Sequence, residues 1–184
     1  GCGVCSIACV AENNIPVVGK DQVQRGREMH WIRVDHYFSG TPEDPNSIET
    51  VHQPVPCMQC ENAPCELVCP VGATFEGPDG VVLVDKTYCI GCRYCVQACP
   101  YGCRFIDPRT NTVDKCTLCY PRITKGLTTA CCEVCPTLAR LLGDLRNPAD
   151  PIHELLRTHK VQVLKPNLAT GAKAYYNGLD AAVR

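Results

Sequence analysis

Seventeen cysteines, gathered into four tight groups, are the residues of this 184-residue sequence whose types and spacing suit them to chemistry. Group one is Cys2, Cys5 and Cys9, and group two is Cys57, Cys60, Cys65 and Cys69. Group three is Cys89, Cys92, Cys95 and Cys99, and group four is Cys116, Cys119, Cys131 and Cys135. Cys103 and Cys132 are left over. An odd total would strand at least one thiol in a purely disulfide framework, and disulfide pairs are not crowded in this way. Metal is the better reading. Group three runs C-x2-C-x2-C-x3-C-P, the spacing that holds an iron–sulfur cubane. Its short loop brings three thiolates to three iron corners, and the x3 step carries the fourth onto a helical turn facing a second cluster. Proline suits the start of such a turn, where no N–H is needed.

The last two cysteines of each group repeat one step. Cys5 to Cys9, Cys65 to Cys69, Cys95 to Cys99 and Cys131 to Cys135 are each four apart, which identifies an internal repeat. The rule selects Cys131 over Cys132, so Cys132 is read as a packed thiol. After the prolines the chain reads Pro70-Val-Gly-Ala73, Pro100-Tyr-Gly-Cys103 and Pro136-Thr-Leu-Ala139. Cys103 therefore takes a slot that alanine fills twice, and is read as a small buried side chain. The 15 remaining cysteines are one short of what four four-thiolate clusters take. The gap lies in group one, at the position three before Cys2. The expectation is a native polypeptide that continues upstream and supplies that cysteine; the alternative is a three-iron cluster on three ligands. Zinc on four cysteines is the competing metal, but zinc ribbons need neither the repeated Cys-Pro endings nor the triplets.

The rest of the chain must position these thiols with little apolar material. The 45% hydrophobic fraction counts cysteine; without it about 36% remains, which is lean for a globular core. Metal staples would make up the deficit. Trp31–Phe38, Val81–Val84, Arg104–Ile106, Leu141–Leu142 and Val161–Leu164 are predicted strands. Helical turns should follow the third cysteine of each group. A separate helix is predicted over 151–159, with Asp150 as cap, Pro151 in its first turn, and Ile152, Leu155 and Leu156 facing the protein. Residues 10–30 and 39–56 are cysteine-free, the latter with a turn-rich Gly40–Asn46 loop. The expected fold is α+β, loop-rich, and a duplicated bacterial dicluster-ferredoxin-like design. A net charge of −1 without a basic run gives no attraction for nucleic acid. Four loaded clusters would add about −8, so Arg and Lys near the motifs would be compensating charge. No stretch reaches the length of a membrane span. His30, His36, His52, His153 and His159 form no ligand spacing, and no catalytic motif is present.

Cys57-Met-Gln-Cys60-Glu-Asn-Ala-Pro-Cys65-Glu-Leu-Val-Cys69-Pro70, Cys89-Ile-Gly-Cys92-Arg-Tyr-Cys95-Val-Gln-Ala-Cys99-Pro100-Tyr101 and Asp114-Lys115-Cys116-Thr-Leu-Cys119 resemble the four-cluster subunits of membrane-bound molybdopterin oxidoreductases, such as polysulfide, dimethyl sulfoxide and tetrathionate reductases. Ala11–Lys20 and Arg25–Arg33 are similar to the iron–sulfur part of the alternative complex III large subunit. The resemblance implies four [4Fe-4S] clusters, with a [3Fe-4S] cluster as the alternative at group one. It implies nested pairing: Cys57, Cys60 and Cys65 with Cys99; Cys89, Cys92 and Cys95 with Cys69; Cys116, Cys119 and Cys131 with Cys9; Cys2, Cys5 and the upstream residue with Cys135. Residues 57–103 would be an inner half inserted into an outer half, 1–56 and 104–165, with 166–184 as a docking tail or an ordinary packed terminus. The implied role is an electron relay between a quinone-reactive integral membrane subunit and a molybdopterin-type catalytic subunit, without catalysis of its own. It would sit peripherally on the periplasmic side of a bacterial energy-transducing membrane. The cluster on Cys89, Cys92, Cys95 and Cys69 would lie nearest the membrane subunit. Arg93 and Tyr94 would tune it or touch that partner, or be a solvated arginine and a packed tyrosine. The rival functions are an alternative complex III domain passing electrons to haem proteins, a freestanding polyferredoxin, and a zinc-stabilised module.

Overall fold

Secondary structure is sparse in the computed structural model, which describes residues 1–179. Its helices are short, and its strands pair only as sequential antiparallel ribbons among the described residues. Helix α1 (Val4–Asn13) follows Gly3 in the left-handed conformation and ends at Asn14, also left-handed, whose N–H bonds Val10 O. Left-handed residues of this kind close helices by satisfying a terminal carbonyl. Helix α2 (Lys20–Gln24) follows. Strands β1 (Ile32–Ser39) and β2 (Glu49–Pro56) then form the longest ribbon, with Ile32 opposite Pro56 and Ser39 opposite Glu49. Its base is buried through Ile32 and Val55, while its far end projects, leaving Phe38 and Ile48 exposed.

Helix α3 (Pro64–Leu67) opens on a proline in its first turn. Ribbon β3 (Thr74–Glu76) with β4 (Val82–Val84) comes next, then α4 (Tyr94–Ala98) and ribbon β5 (Phe105–Ile106) with β6 (Val113–Asp114). Helices α5 (Tyr120–Ile123), α6 (Ala130–Glu133) and α7 (Ile152–Thr158) complete the α-helices among the described residues, beside two 3-10 turns at Pro45–Ser47 and Pro166–Leu168. Strand β7 (Val161–Gln162) pairs with β8 (Tyr176–Asn177). Helix α7 starts as its sequence predicts: Asp150 Oδ1 accepts the Ile152 N–H at 2.8 Å.

Three expectations need correction, and one strand was not foreseen. Leu141–Leu142 forms no strand; no neighbouring strand is there to pair with it, and Leu141 is 59% exposed. Residues 161–164 contribute strand only at Val161–Gln162. The stretch 39–56 holds β2 despite Pro54 and Pro56, since a two-stranded ribbon leaves each strand one unpaired edge on which proline is tolerated. The helical turns do not follow the third cysteine of each group; Cys5, Cys65, Cys95 and Cys131 lie inside α1, α3, α4 and α6.

Two packing arrangements set the site. Helix α3 packs on α4, and α1 on α6. The buried side chains accordingly form two cores with cysteines at their centres. One gathers Cys60, Cys65, Cys95 and Cys103 with Val55, Met58, Val82 and Tyr101. The other gathers Cys5, Cys9 and Cys116 with Ile15, Met29, Trp31 and Ile32. Residues 166–179 run back over the group-two loop: Glu61 N–H bonds Gly171 O at 2.9 Å, Asn62 N–H bonds Thr170 O at 3.0 Å, and Lys173 N–H bonds Met58 O at 2.9 Å. The remainder of the segment expected as a tail, 180–184, lies outside the described residues.

Candidate metal centres

The group-two loop leaves β2 at Cys57 and turns through Gln59, whose φ of 47° is left-handed. Cys65 then enters on α3, and Cys99 arrives from the end of α4. The four thiols of Cys57, Cys60, Cys65 and Cys99 line a single apolar cavity, closed by Met58, Tyr101 and Arg104. Tyr101 is held over it by a 2.6 Å hydrogen bond between its hydroxyl and that of Thr170. Burial pushes the Cys60 thiol up to about 11, against the Thr170 hydroxyl that bonds it. Burial also raises Cys65. Cys99 is driven the other way, down to about 5, by the Cys103 side chain and by the N–H groups of Cys103 and Tyr101. The Cys103 N–H lies 3.5 Å from Cys99 Sγ. Cys103 itself is buried and points its thiol to Pro56 O at 3.1 Å, so it lies behind a neighbouring thiol as a packed side chain.

Cys89, Cys92 and Cys95 are carried by the group-three loop and the first turn of α4. Cys95 is raised by burial, with the Cys89 and Cys92 thiols beside it. The Val113 N–H, from β6, donates to Cys89 Sγ at 3.4 Å. Burial alone would raise Cys69, but the N–H groups of Thr74, Val71 and Ala73 and the Thr74 hydroxyl outweigh it and lower the thiol's pKa. Thr74 Oγ1 also accepts from Arg104 Nη1 at 3.0 Å, and against its burial the thiols of Cys65 and Cys95 raise the Arg104 guanidinium. Thr74 thus links Cys69 to Arg104, which lies within the field of Cys95. The loop opens to the surface at Cys92, ringed by exposed Tyr88, Ile90 and Tyr94. Tyr94 is therefore not packed within this chain.

Group four meets group one on the other side of the molecule. Burial raises Cys9 well above the ordinary thiol range, reinforced by the thiols of Cys116, Cys119 and Cys131 around it. Asn13, one turn along α1, donates to Cys9 Sγ at 3.6 Å and to Cys119 Sγ at 3.8 Å. Burial pushes Cys116 up to about 12, against the Leu118 N–H that lies 3.4 Å from its sulfur. Cys131 is lowered to about 5 by Cys132, Arg140 and Thr129. Cys132 thus stands behind Cys131 as Cys103 stands behind Cys99. Arg140 also lies beside Cys5, and its backbone N–H reaches the Cys135 thiol. Arg122 on α5 clamps the helix pair, bonding Glu12 of α1 at 3.2 Å and Glu133 of α6. Cys2 is exposed.

Sequence reasoning missed several residues of this arrangement. Buried Gln59 joins the two halves, donating from Nε2 to Cys116 O at 3.0 Å and accepting the Val82 N–H at 2.9 Å. Lys115, also buried, donates from Nζ to Cys116 O at 2.9 Å and to Val82 O. Arg104 and Arg140 reach the thiols from the fifth position after Cys99 and Cys135. Carrying the comparison of the Cys-Pro segments one residue further would have aligned Thr74, Arg104 and Arg140.

The donors fit cubane clusters, which take thiolates alone, as these cysteine-lined sites offer. A cubane spreads its thiolates over separate iron corners. The buried Arg104 Nη2 and Arg140 Nε have no hydrogen-bond partner among the described residues. Unpaired cations beside thiols suit an anionic group between them. Ligation would also require the raised thiols to give up their protons.

Residues 48–145 match the model of the 4Fe-4S dicluster domain family. The chain is 41% identical over 190 residues to a tetrathionate reductase subunit of Salmonella typhimurium, covering 99% of this chain and 69% of that protein. It is 37% identical over 177 residues to a polysulfide reductase component of Wolinella succinogenes, covering 95% and 86%. It is 42% identical over 149 residues to the thiosulfate reductase electron transfer subunit of Salmonella typhi, covering 79% and 70%. The chain is an iron–sulfur electron-transfer subunit and belongs to the 4Fe-4S dicluster family that includes these reductase subunits.

Proposed function

We propose that the chain carries four [4Fe-4S] clusters and relays electrons between a quinone-reactive membrane subunit and a molybdopterin-type catalytic subunit. The observation that carries this reading is the nested helix pairing, α3 on α4 and α1 on α6. It supports one ligand set of Cys57, Cys60, Cys65 and Cys99, and a second of Cys89, Cys92, Cys95 and Cys69. A third set is Cys116, Cys119, Cys131 and Cys9, and a fourth takes Cys2, Cys5 and Cys135. The same pairing supports a duplicated fold in which 57–103 is inserted between 1–56 and 104–165. When bound, each cubane accepts and releases one electron, so a long gap is crossed in short hops. The chain's own part is to hold the thiolates, aim N–H groups at their sulfurs, and exclude water with Met58, Val82 and Tyr101.

Exposed Tyr88, Ile90 and Tyr94 around Cys92 support contact with the membrane subunit at that end, and exposed Ile7 and Leu138 support contact with the catalytic subunit at the group-one end. No helix among the described residues is long and apolar enough to cross a membrane, which accords with a peripheral place, here assigned to the periplasmic face. The test is isolation of the tagged native complex in mild detergent, with metal analysis. Co-isolated molybdenum and a membrane subunit whose quinol reduces the clusters are expected. Haem in their place would favour the alternative complex III reading, and a chain that isolates alone would favour a polyferredoxin; either overturns the proposal.

A further inference from the structure

Every junction between successive cluster sites holds one buried or half-buried cation. Arg104 is 3% exposed; it lines the cavity of Cys57, Cys65 and Cys99 of one inner site and lies within the field of Cys95 of the other. Lys115 is 1% exposed and joins the inner and outer halves, donating from Nζ to Val82 O and to Cys116 O at 2.9 Å, within the field of Cys65 and Cys116. Arg140 is half-buried at the outer sites, with Nη2 3.7 Å from Cys131 Sγ and with Cys5 within its field. Among the described residues, none of the three has a carboxylate within ion-pair distance. A shielded charge without a counter-ion is costly and persists where something else compensates it. The two arginines occupy the same repeat position, five residues after Cys99 and Cys135. That recurrence marks a built feature of each pair rather than an accident of packing.

We infer that Arg104, Lys115 and Arg140 are shared charge compensators, each raising the reduction potential of both sites that flank it. The inference rests on the four-cluster reading. A cubane with four thiolates carries about −2, and reduction adds one more negative charge. A cation between two such sites favours the reduced form of either, and offsets the repulsion that reduction of one imposes on its neighbour. The Cys57–Cys99 site lies between Arg104 and Lys115, and the Cys116–Cys9 site between Lys115 and Arg140. Each end site has a single such cation. By this contribution the two middle sites are raised most, and the end sites, which face the partners, least.

The experiment is an EPR-monitored redox titration of the native-length protein with Arg104→Met, Lys115→Met and Arg140→Met, each compared with wild type at measured iron content. Each variant is expected to lower the reduction constant of its two flanking sites at least tenfold, about 59 mV for one electron, and to leave the remote sites in place. The three affected pairs should overlap at the middle sites. Unshifted potentials, or equal shifts at all four sites, at full iron content would overturn the inference. Where a methionine variant loses iron, the charge-keeping Arg104→Lys, Lys115→Arg and Arg140→Lys variants decide. Retained iron with potentials near wild type supports compensation, and loss of iron there too shows a packing role instead. Wild-type protein without four clusters would sink the underlying reading, a separate outcome read before any variant is compared.

Discussion

Replacing Gln59 by methionine removes an amide that joins the two halves while nearly keeping its volume. The Gln59 side chain is 5% exposed and is bonded at both ends, to Cys116 O at 3.0 Å and from Val82 N at 2.9 Å. The variant leaves the Val82 N–H without its acceptor, while Cys116 O loses one of two donors and keeps Lys115 Nζ at 2.9 Å. The unsatisfied N–H costs about 1–3 kcal/mol and the lost second bond about 0.5–1.5 kcal/mol, and the extra apolar burial returns about 1 kcal/mol. The net loss is about 1–3 kcal/mol. Cluster loss makes unfolding irreversible, so the observable is a rate: bleaching of iron–sulfur absorbance in fixed guanidinium under anaerobic conditions. At about 1.4 kcal/mol per tenfold, bleaching should quicken by at least about fivefold if the junction opens before the clusters are lost. Gln97→Met, at an exposed position on α4, is the control. A Gln59→Met rate within about twofold of that control would refute the claim that this amide couples the halves.

Gly91 sits in the group-three loop at φ 69°, and a Cβ there would meet Asn111 O at 2.4 Å. Gly91→Ala should therefore lose the iron held by Cys89, Cys92 and Cys95 while sparing the other sites, read as a drop of about four iron atoms per chain. Under the nested pairing, Cys99→Ser should perturb the EPR signal of the site formed by group two, and Cys69→Ser that of the site formed by group three; the reverse pattern would contradict it. Asp107, with a 1% exposed side chain, holds the β5–β6 turn, and Arg109 followed by Lys86 keeps its carboxyl below the usual range. A depressed carboxyl contributes stability above its unfolded value, near pH 4, and loses it as pH falls through the folded value. Asp107→Asn should thus bleach faster at pH 7, with the difference from wild type shrinking as pH drops below about 4.

The cysteine pattern was legible because metal ligation leaves a spacing that ordinary packing does not. Groups two, three and four and their four-residue step rest on local sequence. Strand Trp31–Phe38 and helix 151–159 were legible for a similar reason, since β-formers in a row and an Asp-Pro start act locally. Strand β2 was hidden because Pro54 and Pro56 count against a strand, and only pairing with β1 makes them tolerable. Leu141–Leu142 misled in the opposite sense, since its apolar character carried no partner. Compensating Arg and Lys near the motifs were expected as a class, but Gln59, Lys115, Arg104 and Arg140 were not singled out, because an isolated polar residue gives no local sign of burial. Their burial follows from the meeting of segments distant in the chain, as when Lys115 reaches Val82 O across 33 positions.

The central claim is that these thiols hold four cubane clusters, and low-temperature EPR with iron and zinc quantification on anaerobically isolated, native-length protein tests it most directly. The account predicts about four iron atoms per site, negligible zinc, and interacting signals on reduction. A prominent signal in the oxidised state would assign a three-iron cluster to group one. Zinc without EPR signals, or iron sufficient for only two cubanes, would contradict the account.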